Sequence, residues 1–165
     1  MKECFKKKNL VSNLQLSILS EQIAADFYRY FAGITKDPAV KKTFTKFAKV
    51  EAQRHKKLLN HRLKILTGRY YRPNLDSLNT RVRVSKFSLI GALKMAKEAE
   101  RRAINFYRNA TKKDMGYSEK YNTLVKEEKQ HWAIIDKLRR LAEAGEYYSQ
   151  PRGIILFARL EQTWR

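Results

Sequence analysis

Apolar side chains recur at three- and four-residue steps along most of this chain, which is the pattern of helices with one buried face. The pattern predicts four helices, at residues 10–34, 38–67, 85–113 and 118–144. Between the second and third helices, residues 69–84 contain Pro73 and keep no helical period, so they are predicted to form an extended crossover. Two short connections on either side of a long one are typical of an all-α four-helix bundle of two antiparallel hairpins.

Turn-forming residues support these boundaries. Asp37-Pro38 separates the first two helices, with Pro38 suited to a first helical turn, and Gly68 is predicted to end the second helix. Ser118 is predicted as the N-cap of the fourth helix, which Gly145 would end. The chain has only three prolines and six glycines, which favours the same helical class.

The pattern also divides the chain into three parts. Residues 1–9 form a basic N-terminal segment, residues 10–144 the helical bundle and residues 145–165 a C-terminal tail. The tail has no clear helical period before Pro151, and its apolar stretch Ile154–Leu160 is expected to pack on the bundle or on a partner subunit. This tail is one of two reasons to expect a homodimer.

An internal repeat links the two hairpins. The first helix carries EQIAADFYR, starting at Glu21, and the third helix carries ERRAINFYR, starting at Glu100. Each Glu precedes a tyrosine, Tyr28 or Tyr107, by two helical turns, so each Glu shares a helix face with its tyrosine. Because apolar residues surround both glutamates on these faces, each hairpin offers one inward-facing Glu on its first helix.

The second helix of each hairpin adds a Glu and a His. In the fourth helix, Glu128 and His131 lie on an apolar face formed by Tyr121, Leu124, Val125, Ile135 and Leu138. In the second helix, Glu51 and His55 are separated by one residue more. Two interpretations remain open. A π-bulge absorbs the extra residue and keeps both side chains inward, or Arg54 takes the inward position and pairs with a carboxylate.

Carboxylates and imidazoles on buried faces need partners, because an unpaired buried ion is costly. Bound cations would meet this need. Two divalent cations held close together require bridging anions to offset their repulsion; Glu oxygens provide these anions, and imidazole nitrogens suit iron. The sequence therefore predicts a dinuclear metal site inside the bundle, with the ligands Glu21, Glu51, His55, Glu100, Glu128 and His131.

With these motifs the chain resembles the ferritin-like superfamily, in particular its rubrerythrin-like branch, over residues 10–144. The resemblance implies a ferritin-like bundle with a di-iron centre, with manganese or zinc as alternative metals, and an oxidoreductase that acts on peroxide, dioxygen or iron. It is also the second reason to expect a homodimer. The resemblance also implies a role for each ligand. Glu51 and Glu128 would bridge the two irons. Glu21 and His55 would bind one iron, and Glu100 and His131 would bind the other.

The chain departs from the rubrerythrin pattern. Rubrerythrins take electrons from a rubredoxin-like module, whereas this chain has one cysteine and lacks the cysteine cluster of such a module, so a separate electron donor is expected. Ala103 stands where rubrerythrins carry an extra Glu one turn after the third-helix Glu. Tyr28 and Tyr107 are interpreted either as core aromatics or as residues beside the metal that orient a ligand or supply an electron.

The net charge of +20 raises a further question about partners. A basic surface attracts anions, nucleic acid above all, but the charges are scattered along all the helices, which favours a solvated coat. Two alternatives to the oxidoreductase follow: a nucleic-acid-binding module with a vestigial metal site, and an RNA-modifying di-iron oxygenase. No apolar run is long enough to span a membrane and no signal peptide is found, so we expect a cytoplasmic protein without a membrane partner.

Overall fold

The structure, a computed structural model, describes residues 2–74 and 89–144. Within these ranges the chain forms five α-helices, which are α1 (Lys2–Ile34), α2 (Pro38–Lys49), α3 (Lys56–Thr67), α4 (Leu89–Lys113) and α5 (Ser118–Glu143). A π-helix, Val50–His55, joins α2 to α3 without a break, and a 3₁₀ turn, Met115–Tyr117, leads into α5. No strand occurs in these two ranges.

Because α2, the π-helix and α3 form one continuous rod, the described chain is a bundle of four long helices. The α1 helix packs along that rod, and α4 packs along α5. This arrangement confirms the predicted all-α four-helix bundle. Within the described residues, no helix combines the length and the apolar character that crossing a membrane requires.

The connection between α1 and α2 follows from the residues that form it. One carboxylate oxygen of Asp37 accepts hydrogen bonds from the backbone N–H groups of Ala39, at 2.8 Å, and Val40, at 2.9 Å. Pro38 occupies the first helical turn, where its missing N–H group costs nothing. At the other end of the rod, Gly68 adopts a positive φ of 76°, the conformation that commonly ends a helix.

Two predicted helix starts differ from the structure. The α1 helix begins at Lys2 rather than at residue 10, because residues 2–9 contain no glycine or proline and lysine is a good helix former. Ser118 is not the N-cap of α5, and Tyr117, which takes the cap position, makes no capping hydrogen bond with its side chain. The backbone N–H of Ser118 already bonds the Met115 carbonyl through the 3₁₀ turn, so Ser118 is helical itself.

The described residues test the other predicted boundaries only in part. Residues 69–74, the start of the predicted crossover, are non-helical. The rest of that crossover, the predicted helical residues 85–88 and the tail 145–165 lie outside the described residues, and the apolar stretch Ile154–Leu160 lies there too.

Buried apolar side chains form two clusters, one towards each end of the bundle. One cluster combines the second half of α1 with α2, the start of α4 and the end of α5, and includes Phe44 and Leu138. The other combines the first half of α1 with α3, the end of α4 and the start of α5, and includes Leu14 and Tyr121. The stretch between the clusters contains the predicted polar site, so each end of that site is closed by packed apolar side chains.

Candidate metal centre

All six predicted ligand residues are buried in the middle of the bundle, each at most 4% exposed. Every long helix contributes to the group. One Glu comes from α1, one Glu from α4, a Glu and a His from the π-helix, and a Glu and a His from α5. The structure therefore brings together the whole predicted set, namely Glu21, Glu51, His55, Glu100, Glu128 and His131.

The π-helix decides which residue of the second helix faces the site. The side chain of His55 is 0% exposed, whereas that of Arg54 is 62% exposed and pairs with Glu127 at the surface, at 2.8 Å. The wider π turn absorbs the extra residue between Glu51 and His55, so both side chains point inward. The interpretation as a π-bulge is confirmed, and the alternative with Arg54 inside is wrong.

The ligand atoms fall into two groups that share two carboxylates. One group is Glu21, Glu51, His55 and Glu128, and the other is Glu51, Glu100, Glu128 and His131; within each group the atoms lie within 4.8 Å of one another. Glu51 and Glu128 belong to both groups. A carboxylate shared in this way can bridge two cations, while the remaining Glu and His of each group bind one cation each.

The distances show how the two bridging candidates divide their oxygens. Oε2 of Glu51 lies 2.8 Å from Nδ1 of His55, and its Oε1 lies 2.8 Å from Nδ1 of His131. Glu128 places Oε1 3.2 Å from His55 and Oε2 3.3 Å from His131. Each of these two carboxylates thus offers one oxygen to each half of the centre, and each histidine turns Nδ1 inward.

Buried polar atoms without partners provide a test of whether this set fits a metal. Among the described residues, the buried side-chain atoms that make no hydrogen bond are both carboxylate oxygens of Glu51, Oε2 of Glu128 and Nδ1 of both histidines. These atoms contact one another as ion pairs at 2.8 to 3.3 Å but without hydrogen-bond geometry, and buried polar atoms that lack hydrogen bonds are costly. These are the atoms that converge on the two halves, and oxygen and imidazole donors suit iron, manganese or zinc. The donor set therefore fits two divalent cations.

The electrostatics of the site without a cation show what a metal would replace. Burial, followed by repulsion from neighbouring carboxylates, raises the pKa of Glu21 and Glu100 well above its ordinary value. Burial acts in the same direction on Glu51 and Glu128, but neighbouring groups, both histidines among them, lower the pKa of both carboxyls. Burial lowers the pKa of His131, yet the adjacent carboxylates raise it to about 9. Protons thus offset the buried charge, and binding of cations would displace them.

The two tyrosines of the repeat cross the bundle to reach this site. The hydroxyl of Tyr28 donates to Glu100, and the hydroxyl of Tyr107 donates to Glu21, so each tyrosine holds the Glu of the other repeat. Burial and the neighbouring carboxylates raise the pKa of both phenols, which keeps them protonated as donors. Both side chains lie beside the candidate ligands. A direct part in chemistry stays a prediction.

One residue of the site was missed by sequence reasoning. Oε2 of Glu127 lies 2.8 Å from Nε2 of His55, and this contact fixes the ring so that Nδ1 faces the centre. The sequence signal was the doubled Glu in EEKQHW, of which only Glu128 falls on the apolar face. Glu127 was not identified because its partner lies on another helix.

A cavity of about 1120 Å³ lies between α1 and α4, beside the centre. Its wall includes Glu21, Tyr28 and Tyr107, and small side chains, such as Ala99 and Ala103, leave the space unfilled. Ala103 is the position where the rubrerythrin pattern has an additional Glu. The cavity therefore borders the α1 and α4 side of the centre, from which it is separated by side chains that are at most 3% exposed.

Comparison with known proteins agrees with this geometry. A family model, Rubrerythrin, matches residues 12–142, which include most of every helix of the bundle and all six candidate ligands. No curated protein and no solved structure shows a significant match to the chain. The matched region extends over most of the sequence. The chain belongs to the rubrerythrin family, within the ferritin-like superfamily.

Proposed function

We propose that this protein is a di-iron oxidoreductase that reduces hydrogen peroxide with electrons from a separate donor. The observation that carries the proposal is the pair of shared carboxylates, since Glu51 and Glu128 each offer one oxygen to either half of the centre. Family membership adds support, because rubrerythrins typically bind iron. A bound iron pair would supply the two electrons that cleavage of the peroxide O–O bond requires.

The residues of the chain would hold such a pair in place. Glu51 and Glu128 would bridge the two irons and offset their mutual repulsion. His55 and His131 would each bind one iron through Nδ1, and Glu127 keeps His55 in that orientation. The remaining ligands, Glu21 and Glu100, would bind one iron each while a tyrosine hydroxyl holds one of their oxygens.

The surroundings of the centre support a small oxidant as substrate. The apolar clusters close both ends of the site, and a cavity between α1 and α4 borders it on one side, separated from it by little more than the side chains of Tyr28 and Tyr107. Peroxide reduction consumes two electrons and two protons and yields two water molecules. The sequence has one cysteine, too few for a rubredoxin-type site, and a separate electron donor is therefore part of the proposal.

The test is peroxide consumption by protein loaded with ferrous iron under anaerobic conditions. We expect stoichiometric oxidation of bound iron by peroxide, and turnover once a reductant is supplied. Glu128→Gln removes one bridging charge and should abolish turnover, whereas Glu119→Gln, an exposed change on the same helix, should leave it unchanged. Equal turnover by both variants, or none by an iron-loaded wild-type protein, would overturn the proposal.

A further inference from the structure

The rod formed by α2, the π-helix and α3 differs from the other long helices in the sign of its charges. Between residues 38 and 67 the only acidic residue is Glu51, which is 1% exposed, whereas lysine and arginine occur throughout. The other helices each present an acid at the surface, namely Asp26 in α1, Glu98 in α4 and Glu119 in α5. The outer side of the rod is therefore positively charged along its whole length, with no exposed carboxylate to interrupt it.

Exposed polar residues of the rod lie in one line, which we call the basic stripe. From Lys42 onward they recur at steps of three or four residues, so they share one helix face. Buried residues of the rod, such as Phe44 and Leu59, lie on the opposite face. The basic stripe consists of Lys42, Lys46, Lys49, Gln53, Lys57, His61 and Lys64, all of them exposed.

The π-helix keeps the basic stripe continuous. Lys49, Gln53, Lys57 and His61 follow one another at steps of four residues. In a regular α-helix of 3.6 residues per turn, three such steps would drift around the axis, but the wider π turn absorbs part of that drift. The element that brings His55 inward thus also aligns the two ends of the stripe, which extends over about 30 Å.

The chemistry of the stripe fits the backbone of a nucleic acid duplex. A stable protein interface has an apolar core, yet no large apolar side chain is exposed between Lys42 and Lys64, a stretch that the structure describes in full. Proteins that bind single strands stack the bases on aromatic side chains, and the stripe contains no Phe, Tyr or Trp. A duplex carries one negative charge about every 1.7 Å along its axis, so phosphates are available along the whole stripe.

We propose that the basic stripe binds double-stranded nucleic acid through its phosphates, without reading the base sequence. The five lysines of the stripe neutralise phosphates, while Gln53 and His61 supply hydrogen bonds between them. Arg69 and Arg72, exposed just beyond the end of the rod, add positive charge there. This surface goes beyond the proposed function and does not depend on it, because it contains none of the candidate metal ligands.

The salt dependence of duplex binding tests the stripe. The probe is a fluorescent DNA duplex of about 20 base pairs, longer than the stripe, and its anisotropy is followed over a series of salt concentrations. Each phosphate contact contributes about −0.9 to the slope of log K against log salt. Lys49→Gln combined with Lys57→Gln removes two contacts at the middle of the stripe. We expect this double variant to bind about tenfold more weakly, with a slope smaller in magnitude by about 2.

A second double variant serves as the matched control. Arg102→Gln combined with Arg108→Gln removes the same charge from exposed positions of α4 and should leave the affinity and the slope close to those of the wild type. Glu128→Gln should also bind the duplex as the wild type does, because the stripe acts without the metal centre. Circular dichroism shows that each variant is folded.

The outcomes decide between the stripe and other sources of binding. A loss confined to the Lys49 and Lys57 double variant supports the proposal. Equal weakening of both double variants would mean that net charge alone attracts the duplex and would overturn it, as would the absence of binding at about 50 mM salt. Tighter binding of a single strand of the same sequence would overturn it too.

Polyglutamate tests for an acidic protein as the partner instead. We expect it to leave the duplex bound when it is added at the same concentration of charge. If it displaces the duplex, the stripe is a site for acidic polypeptides and the assignment to nucleic acid is wrong. Iron content and peroxide turnover are measured separately, so a failure of the proposed function and a failure of the stripe are distinguishable.

Discussion

At the scale of single residues, the hydroxyl groups of Tyr28 and Tyr107 tie the two halves of the centre together. Tyr28 of α1 donates to Glu100 of α4, and Tyr107 of α4 donates to Glu21 of α1. Each of these two buried carboxyls is thus positioned by the helix that carries the other. Glu127 does the same for His55 from α5. The ligands are thus held in orientation by neighbours on other helices, which is how metal sites reach the required geometry.

Removal of one of these hydroxyls should cost stability. In Tyr28→Phe, the buried carboxyl of Glu100 loses its donor, so we expect the metal-free protein to lose about 1–3 kcal/mol of unfolding free energy. Urea unfolding followed by circular dichroism measures the loss. Tyr30→Phe, an exposed change on the same helix, is the matched control. An unchanged midpoint for Tyr28→Phe would show that this hydrogen bond does not contribute to the fold.

Glu127 should control the affinity of one half of the centre. Glu127→Ala frees the ring of His55, and loss of such a partner typically weakens metal binding about 10- to 100-fold. Competition with a chromophoric chelator should show one weakened metal and one unchanged metal per chain. Glu127→Gln, whose amide oxygen can still accept from Nε2, should retain more affinity. Equal weakening of both metals, or of neither, would contradict this role.

The six ligand candidates could be predicted from the sequence, whereas Glu127 could not. The candidates share a helix face with apolar residues, and periodicity reveals such a face in a single chain segment. The contact of Glu127 with His55 depends on how two helices are placed relative to each other, which periodicity does not report. The crossing of the tyrosines was hidden for the same reason, since the repeat pairs Tyr28 with Glu21 in sequence but the bundle pairs it with Glu100.

At the scale of secondary structure, the π-helix is the element on which the centre depends. It takes up one residue within the long second helix, so that Phe44 and Phe47 before it and Leu59 and Leu63 after it all remain buried. The sequence showed that one residue was extra, but both Arg54 and His55 are polar and periodicity could not choose between them. The structure decides for His55, because its imidazole is buried while Arg54 is exposed and pairs with Glu127.

Deletion of the extra residue should therefore be tolerated. Without the exposed Gln53, Glu51 and the following histidine acquire the spacing of Glu128 and His131, and a regular α-helix can present both inward. We expect the deletion variant to fold and to keep its iron content, with unfolding monitored by circular dichroism and metal by elemental analysis.

The matched control is deletion of the exposed Thr45 from α2, where nothing absorbs the change. This deletion rotates Phe44 by about 100° relative to Phe47 and should prevent folding. If the Gln53 deletion unfolds the protein as severely as the Thr45 deletion does, the π-helix does more than take up one extra residue, and this account of it is wrong.

At the scale of the whole molecule, the bundle consists of two apolar clusters with a polar centre between them, under a strongly basic surface. Basic residues outnumber acidic ones, 36 to 16, and one carboxylate can therefore pair with several cations. Asp136 is an example. It contacts Lys97 from α4 and both Arg139 and Arg140 on its own helix. This buried Asp therefore links α4 to α5 near the end of α5, far along that helix from Tyr121.

The stability of the molecule in acid should depend on Asp136. The hydrogen bond from Lys97, partly opposed by burial and supported by Arg139, lowers the pKa of Asp136 from 3.8 to about 2. Because the folded pKa is the lower one, the stabilisation is complete above about pH 4 and is lost as the pH falls through about 2. Asp136→Asn should cost on the order of 1 kcal/mol at pH 7 and almost nothing at pH 2. A difference that persists at pH 2 would contradict this origin.

The central claim is that the middle of the bundle holds two metals through six side chains, and metal content tests it most directly. After expression with added iron, the wild-type protein should contain close to two irons per chain by elemental analysis. Glu128→Gln removes a ligand shared by both halves and should lose both irons, while the exposed control Glu119→Gln should keep them. A wild-type protein without metal, or a Glu128→Gln variant with the same metal content as the wild type, would contradict the account.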